Sequence, residues 1–371
     1  MRTLLHAFST FELGGSQARF VQLANAFGAG YRHLIVAMDG RMLAGERLGP
    51  GVDWQPMAIE NRRGGALANR GVFRAALAAW KPDLVLSYNW GAIEWAAGNL
   101  PRCVAQVHVE DGFGPGEAQR QLPRRVWGRR AILGLGHADV VVPSRRLAQH
   151  ARTWWVPERR LRYVPNGVPL EVGIQARPVV PVGRPLIIGT VAGLRREKNL
   201  ARLLRAFAVA RREHELRLLV VGDGPERPAL QALALALGIG ADVEFTGYLA
   251  NPQARLREMD LFALSSDTEQ QPMSMLEAMA LGIPVIATRV GDVPFMVPAS
   301  AAAALCEADD AAFTQRLLAV LGQREAWPAW AAAGLDRVRS DFAFDDMLER
   351  WRLVFDGRAA EVPALLVKAS G

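Results

Sequence analysis

The sequence predicts an α/β protein made of two doubly wound parallel-sheet domains, and three observations carry that prediction. Short apolar runs alternate with helical patterns along the whole chain, as in parallel sheets covered by helices on both faces. The stretch RPVVPVGRP, residues 177–185, holds three prolines and a glycine, and the alternation restarts after it, which marks an inter-domain linker. The chain has 371 residues, half of them apolar, enough for two buried cores.

In the first half, strands are expected at 3–8 (TLLHAF), 33–38, 84–88, 104–108, 140–143 and 162–164, with helices at 16–27 and 72–80 among them. After the linker the strands are LIIGTV, LRLLVVG, VEFTGYL, LFALSS and PVIAT, with helices at 201–212 and 227–237. Segment 344–358 (FDDMLERWRLVFDGR) places Met347, Leu348, Trp351, Val354 and Phe355 on one helical face. It either closes the second domain or packs across onto the first. The expected division is therefore 1–177, a linker at 178–184, 185–343, and a terminal helix and tail at 344–371.

Composition excludes several classes. No apolar run approaches the roughly 18 residues that a membrane span needs, and the N-terminal apolar stretch reads as a first strand rather than a leader. Cys103 and Cys306 lie far apart and form no metal-type spacing, so a reduced cytoplasmic setting is expected. Residues 1–180 carry 23 Lys and Arg against 13 Asp and Glu, whereas the remainder carries 21 against 24. A basic first half suits an acidic partner: anionic lipid, a phosphorylated substrate or nucleic acid. It equally suits a solvated surface in an arginine-rich chain, in which only Lys81, Lys198 and Lys368 are lysines.

The chemistry concentrates at strand ends of the second half. In EQQPMSMLEAMALGIPVIAT, residues 269–288, Glu269 and Glu277 have seven residues between them. Pro272 suits the first turn of a helix, which leaves the amides of Met273, Ser274 and Met275 free to meet a phosphate. In open α/β sheets ligands sit beyond the carboxyl ends of the strands. Carboxylates grip vicinal hydroxyls as charge-assisted acceptors, so Glu277 suits a ribose and Glu269 a second sugar. The alternative is that both simply favour a helix N-terminus through its dipole.

Three further segments join them. GTVAGLRREKNL, residues 189–200, opens a helix with Arg195, Arg196 and Lys198 placed to meet an anion. VVGDGPERPAL, residues 220–230, turns tightly through Gly222 and Gly224, with EFTGYL and its Tyr248 beside it to sandwich a base. Arg227 stands where a dinucleotide fingerprint needs its third glycine. FELGGSQARF, residues 11–20, puts Gly14 and Gly15 between the first strand and its helix, where backbone can approach a ligand closely.

In this order, these segments together with YVPNGV (163–168) and VGDVP (290–294) resemble the retaining glycosyltransferases of family 4, which have the GT-B fold: two Rossmann-like domains facing a central cleft. The resemblance implies a nucleotide-diphosphate sugar, UDP- or GDP-linked, bound mainly by the C-terminal domain. It implies an acceptor on the N-terminal domain, and transfer with retention. It assigns Glu277 to the ribose, Glu269 to the transferred sugar, Lys198 to the diphosphate, and Gly14 and Gly15 to the donor from across the cleft. The chain departs from the pattern at Gly193, where an arginine is common, at Phe295, where a glutamate is common, and at QQPMS, which replaces a glycine-rich segment. Arg195 or Arg196 is left to meet the phosphate.

His108, in AQVHVEDGFG, sits at a strand end, either to orient the acceptor or support the transferred sugar, or as a structural histidine. No metal and no cofactor beyond the nucleotide sugar is expected. RQLPRRVWGRR brings Arg120, Arg124, Arg125, Arg129 and Arg130 together with Leu122, Val126 and Trp127, a segment able to dock on anionic lipid or to stand as a solvated arm. Nucleic acid is not expected, because no stacking motif accompanies the charge. The function expected is therefore transfer of a sugar to a glycan or lipid-linked acceptor in cell-surface polysaccharide synthesis, in the cytoplasm and peripheral to the inner face of the membrane. The alternatives are a nucleotide-sugar epimerase on the same fold and a non-catalytic sugar- or membrane-binding module.

Overall fold

The structure, a computed structural model, describes residues 1–60, 66–112, 122–178 and 183–363. It divides into two compact units, Met1–Pro165 with Met347–Gly371, and Asn166–Asp346.

The first unit is built on a parallel sheet of seven strands: β1 (Arg2–Phe8), β2 (Tyr31–Ala37), β3 (Asp53–Pro56), β4 (Leu84–Tyr88), β5 (Ala105–Val109), β6 (Asp139–Val142) and β7 (Leu161–Tyr163). Their order is β3-β2-β1-β4-β5-β6-β7, so the winding reverses between β1 and β4. The central strands are buried on both faces, which is why they read as unbroken apolar runs. β3 (DWQP) is a half-exposed edge strand with no apolar run, and the alternation of the sequence does not disclose it.

The second unit repeats the plan with six strands: β8 (Leu186–Val191), β9 (Leu216–Val221), β10 (Val243–Gly247), β11 (Leu261–Leu264), β12 (Val285–Thr288) and β13 (Leu305–Cys306). Their order is β10-β9-β8-β11-β12-β13, and every pairing is parallel. β8 and β11 are neighbours at the point of reversal, with Leu261 opposite Ile188 and Phe262 opposite Gly189. Gly189 is needed there, because a Cβ would stand 2.3 Å from the Met259 sulfur. Ligands of open α/β sheets collect beyond the carboxyl ends of the strands at such a reversal.

Both units are the doubly wound sheets that the sequence predicts. Their division comes earlier than the expected boundary at 177. Val168 belongs to the core of the second unit, and its backbone exchanges hydrogen bonds with Phe342 and Phe344. Of the expected linker, residues 179–182 lie outside the described residues, as does the tail from 364. The terminal helix Phe344–Phe355 runs into the first unit, where Phe355 is fully buried against His6, Tyr31 and His33.

Candidate active site

Two loops leave the adjacent carboxyl ends of β8 and β11. The first carries Lys198 and the second Glu269, and they meet: Lys198 Nζ donates to Glu269 Oε1 at 2.6 Å. The hydroxyl of Ser266 donates to the same oxygen at 2.7 Å. Both partners are largely buried, with side chains 20% and 7% exposed, so their charges act through a poorly screening medium.

The loops are stitched together by groups that the sequence does not announce. Ser265 Oγ donates to the Lys198 carbonyl, and the Asp267 amide to the Glu197 carbonyl. Asn199 caps the helix Leu200–Ala210 from a left-handed conformation (φ 42°), accepting from the Arg202 amide. The buried Arg202 guanidinium bonds the Ser265 carbonyl, Asp267 and Asp310. Gly291, at φ 54°, allows the loop after β12 to cross the Glu269 carbonyl, where a Cβ would lie 2.0 Å away. The Asp292 amide bonds Gln270 there.

The helix that follows runs Met273–Ala280, with Pro272 as its N-cap and no capping side chain. Its first-turn amides precede the intrahelical ladder. Met273 and Ser274 are half-buried, whereas the Met275 side chain is fully buried in the core, so its amide is the group it offers. Glu277 sits one turn inside that helix. No side-chain hydrogen bond reaches it among the described residues, and burial raises its pKa above the usual carboxylate value. An unpartnered carboxylate in such a place is costly unless a ligand supplies donors.

The neighbouring loops complete the edge. Gly222, at φ 137°, brings its backbone so close to Ala192 that a Cβ would lie 1.9 Å from the carbonyl. Its amide donates to Gly247. Asp223 is held below its usual pKa by the Gly224 amide and by Arg227, 2.7 Å away. Tyr248, after β10, is 57% exposed. The Arg195 side chain is 62% exposed and 3.4 Å from Glu197.

In the first unit, Gly14 caps the helix Gly15–Phe27, which starts one residue before the expected Ser16. A Cβ on Gly14 would meet Gln17 Oε1 at 2.7 Å. His108 is fully buried on β5. Its Nδ1 lies 3.0 Å from Ser87 Oγ, and its Nε2 lies 3.3 Å from Glu110 Oε2. Arg129 closes the cluster with two bonds to Glu110 at 3.1 and 3.2 Å, its guanidinium over the Trp90 and Trp155 rings. Burial pushes the Glu110 pKa up, but the His108 bond and the Arg129 charge outweigh it and hold it below normal. Beside the cluster, Asp111 faces Arg19 at 2.5 Å, and its amide bonds Asn89.

This corrects one expectation. Arg129 turns inward to neutralise a buried carboxylate and is not available to a membrane. Arg124 and Arg130 are exposed, Arg125 is half-buried over Trp90, and Arg120 lies outside the described residues. The helix Pro123–Arg129 does form, with Pro123 in its first turn. Gly128 lets it approach Trp90, which a Cβ would meet at 2.6 Å.

A family model described as Glycosyltransferase Family 4 matches residues 13–172, and one described as Glycosyl transferases group 1 matches residues 185–323. The chain belongs to the group 1, family 4 glycosyltransferases. It is 37% identical over 120 residues to N-acetyl-alpha-D-glucosaminyl L-malate synthase of Bacillus anthracis, a match covering 32% of each chain. It is 29% identical over 199 residues to the lipopolysaccharide core glycosyltransferase LpsD of Rhizobium meliloti, covering 50% of this chain and 56% of LpsD. These alignments span about a third to about half of the relatives' own length. Among solved structures, Anabaena HepE in complex with UDP superposes with a TM-score of 0.79 at 15% identity, covering 96% of this chain and all of HepE. The fold of this glycosyltransferase is GT-B.

Proposed function

We propose that this glycosyltransferase moves a sugar from a UDP- or GDP-linked donor to a glycan or lipid-linked acceptor in cell-surface polysaccharide synthesis, with retention at the anomeric carbon. The observation that carries the reading is the Lys198–Glu269–Ser266 cluster at the reversal of the second sheet, beside the helix that holds the unpartnered Glu277. Names of relatives support the reaction class: several are named for lipopolysaccharide core or O-antigen biosynthesis. HepE was solved with UDP and with UDP-glucose, which makes UDP the first nucleotide to test.

On this reading the diphosphate lies on the amides of Met273, Ser274 and Met275 and takes a bond from Lys198, with Arg195 at the rim. Bond breaking leaves negative charge on that diphosphate, and these donors are already oriented toward it. At about 4 Å the lysine charge contributes about 4 kcal/mol at an effective dielectric of about 20. Glu277 accepts from the ribose and Glu269 from the transferred sugar. Tyr248 and the Gly222 turn flank the base. The leaving phosphate takes the acceptor's proton, so neither a protein base nor a metal is required. The buried His108 acts as a positioning residue: it fixes Glu110 and thereby the backbone at Asp111, beside which the acceptor is held. The enzyme works in the cytoplasm, docked on the inner face of the membrane through Arg124, Arg125 and Arg130.

Turnover of UDP- and GDP-sugars with lipid-linked acceptor tests the reading. Lys198→Ala and Glu269→Gln are each expected to lower kcat about 100- to 1,000-fold with the fold retained. Wild-type rates in both would overturn the site. An epimer formed from donor alone would favour the epimerase, and no calorimetric binding of UDP or GDP would favour a non-catalytic module.

A further inference from the structure

Outside the sheet edges, the first unit carries a cavity of about 520 Å³ between the helical turn Arg130–Gly134 and the end of the helix Arg145–Trp154. That volume is in the range of small-molecule sites. Its walls include Trp127, Leu135, Trp154 and Pro157, with Arg130 and Arg152 among them. Trp127 is 65% exposed, Leu135 82% and Trp154 50%. Three large apolar side chains standing in water around one opening are unusual on a soluble surface and mark an interaction site.

Charge identifies the occupant. Residues 122–160 hold nine arginines against two acids, Asp139 and Glu158. Asp139 pairs with Arg162. Glu158 lies 3.7 Å from Arg152, with both side chains largely exposed. Among the described residues no acid lines the cavity itself. Arg130 lies over the Trp127 ring, its carbon 5.6 Å from the centroid, so cation and apolar surface share one rim. A ligand that fits carries a phosphate at one end and a hydrocarbon chain behind it. A protein partner would need a continuous acidic and apolar face, whereas an anionic bilayer presents both everywhere.

We infer that this cavity receives one acyl chain of an anionic phospholipid, with the lipid phosphate on Arg130 and Arg152, and that Trp127, Leu135 and Trp154 enter the interface with it. The inference deepens the membrane-docking reading given above and rests on it. Docking by charge alone would leave the tryptophans in water; seating a chain would bury them among the lipid tails.

The test uses the full chain with vesicles of phosphatidylcholine, alone or with phosphatidylglycerol, whose acyl chains carry bromine. Sedimentation with the vesicles reports docking, and bromine quenching of tryptophan fluorescence reports insertion. The expected result is sedimentation with the anionic vesicles only, with quenching that disappears in the Trp127→Phe/Trp154→Phe protein. Leu135→Ser with Trp154→Ala is expected to lower the partition coefficient about tenfold, with an unchanged circular dichroism spectrum and thermal midpoint. Sedimentation without quenching would overturn the chain-seating inference and leave charge-driven docking standing. Absence of sedimentation would overturn both.

Discussion

Lys198 and Glu269 neutralise one another across two loops, so removing either charge leaves the other largely buried and without its counter-charge. A lysine in a chain with 44 basic residues and only three lysines stands out by rarity, and Glu269 stands out by its place before a helix. Their 2.6 Å contact joins loops 71 residues apart. Ser266, Arg202 and Gly291 hold that contact in place, and nothing local in the sequence distinguishes them from ordinary turn residues. The same limit produced the misreading of Arg129. Five arginines in a short segment look alike, and the one that turns inward is selected by Glu110, 19 residues away. At this scale Glu277 makes a distinct prediction. Burial favours its neutral form, whereas in the proposed site ribose hydroxyls would donate to its ionised form. Donor binding therefore pulls the pKa back down and releases a proton. Donor affinity rises as pH rises through the shifted value. Calorimetry in buffers of different ionisation enthalpy is expected to show proton release for wild type and none for Glu277→Gln.

At the scale of elements, most strands lie within a residue or two of expectation, because parallel strands buried on both faces are written as continuous apolar runs. Edges escaped: β3 exposes half its side chains and β13 is two residues long. The domain boundary escaped for a different reason. Prolines mark where a chain stops forming elements, but the unit changes where Val168 enters the second core. Tight crossings between elements depend on glycines whose need shows only in three dimensions. Gly222→Ala places a Cβ against the Ala192 carbonyl at φ 137°. It is expected to cost more than about 2 kcal/mol and to weaken nucleotide binding more than Gly51→Ala in the first unit, whose added Cβ meets nothing. Chemical denaturation and nucleotide titration of the two variants check it, and equal stability would contradict the crossing.

At the scale of the whole molecule, the first unit is tuned against acid. His6 and His33 are buried side by side, His6 Nε2 3.0 Å from His33 Nδ1, with Tyr88 on the far side of His6. Burial depresses both, His33 to about 4. The sign follows: above pH about 6.5 both states are neutral and nothing is lost, but as pH falls the unfolded chain takes up protons that the folded one refuses. His33 alone then costs about 3 kcal/mol by pH 4. The thermal midpoint is expected to fall between pH 7 and 4, and less steeply in His33→Gln; identical slopes would contradict the assignment. In the second unit, the proposed function places a nucleoside diphosphate where β8 and β11 end. The most direct test is calorimetric titration of UDP and GDP into wild type and Lys198→Ala. The account predicts binding of one of the two nucleotides to wild type and at least about tenfold weaker binding to the variant, about 1.4 kcal/mol; equal affinity in both proteins would contradict it.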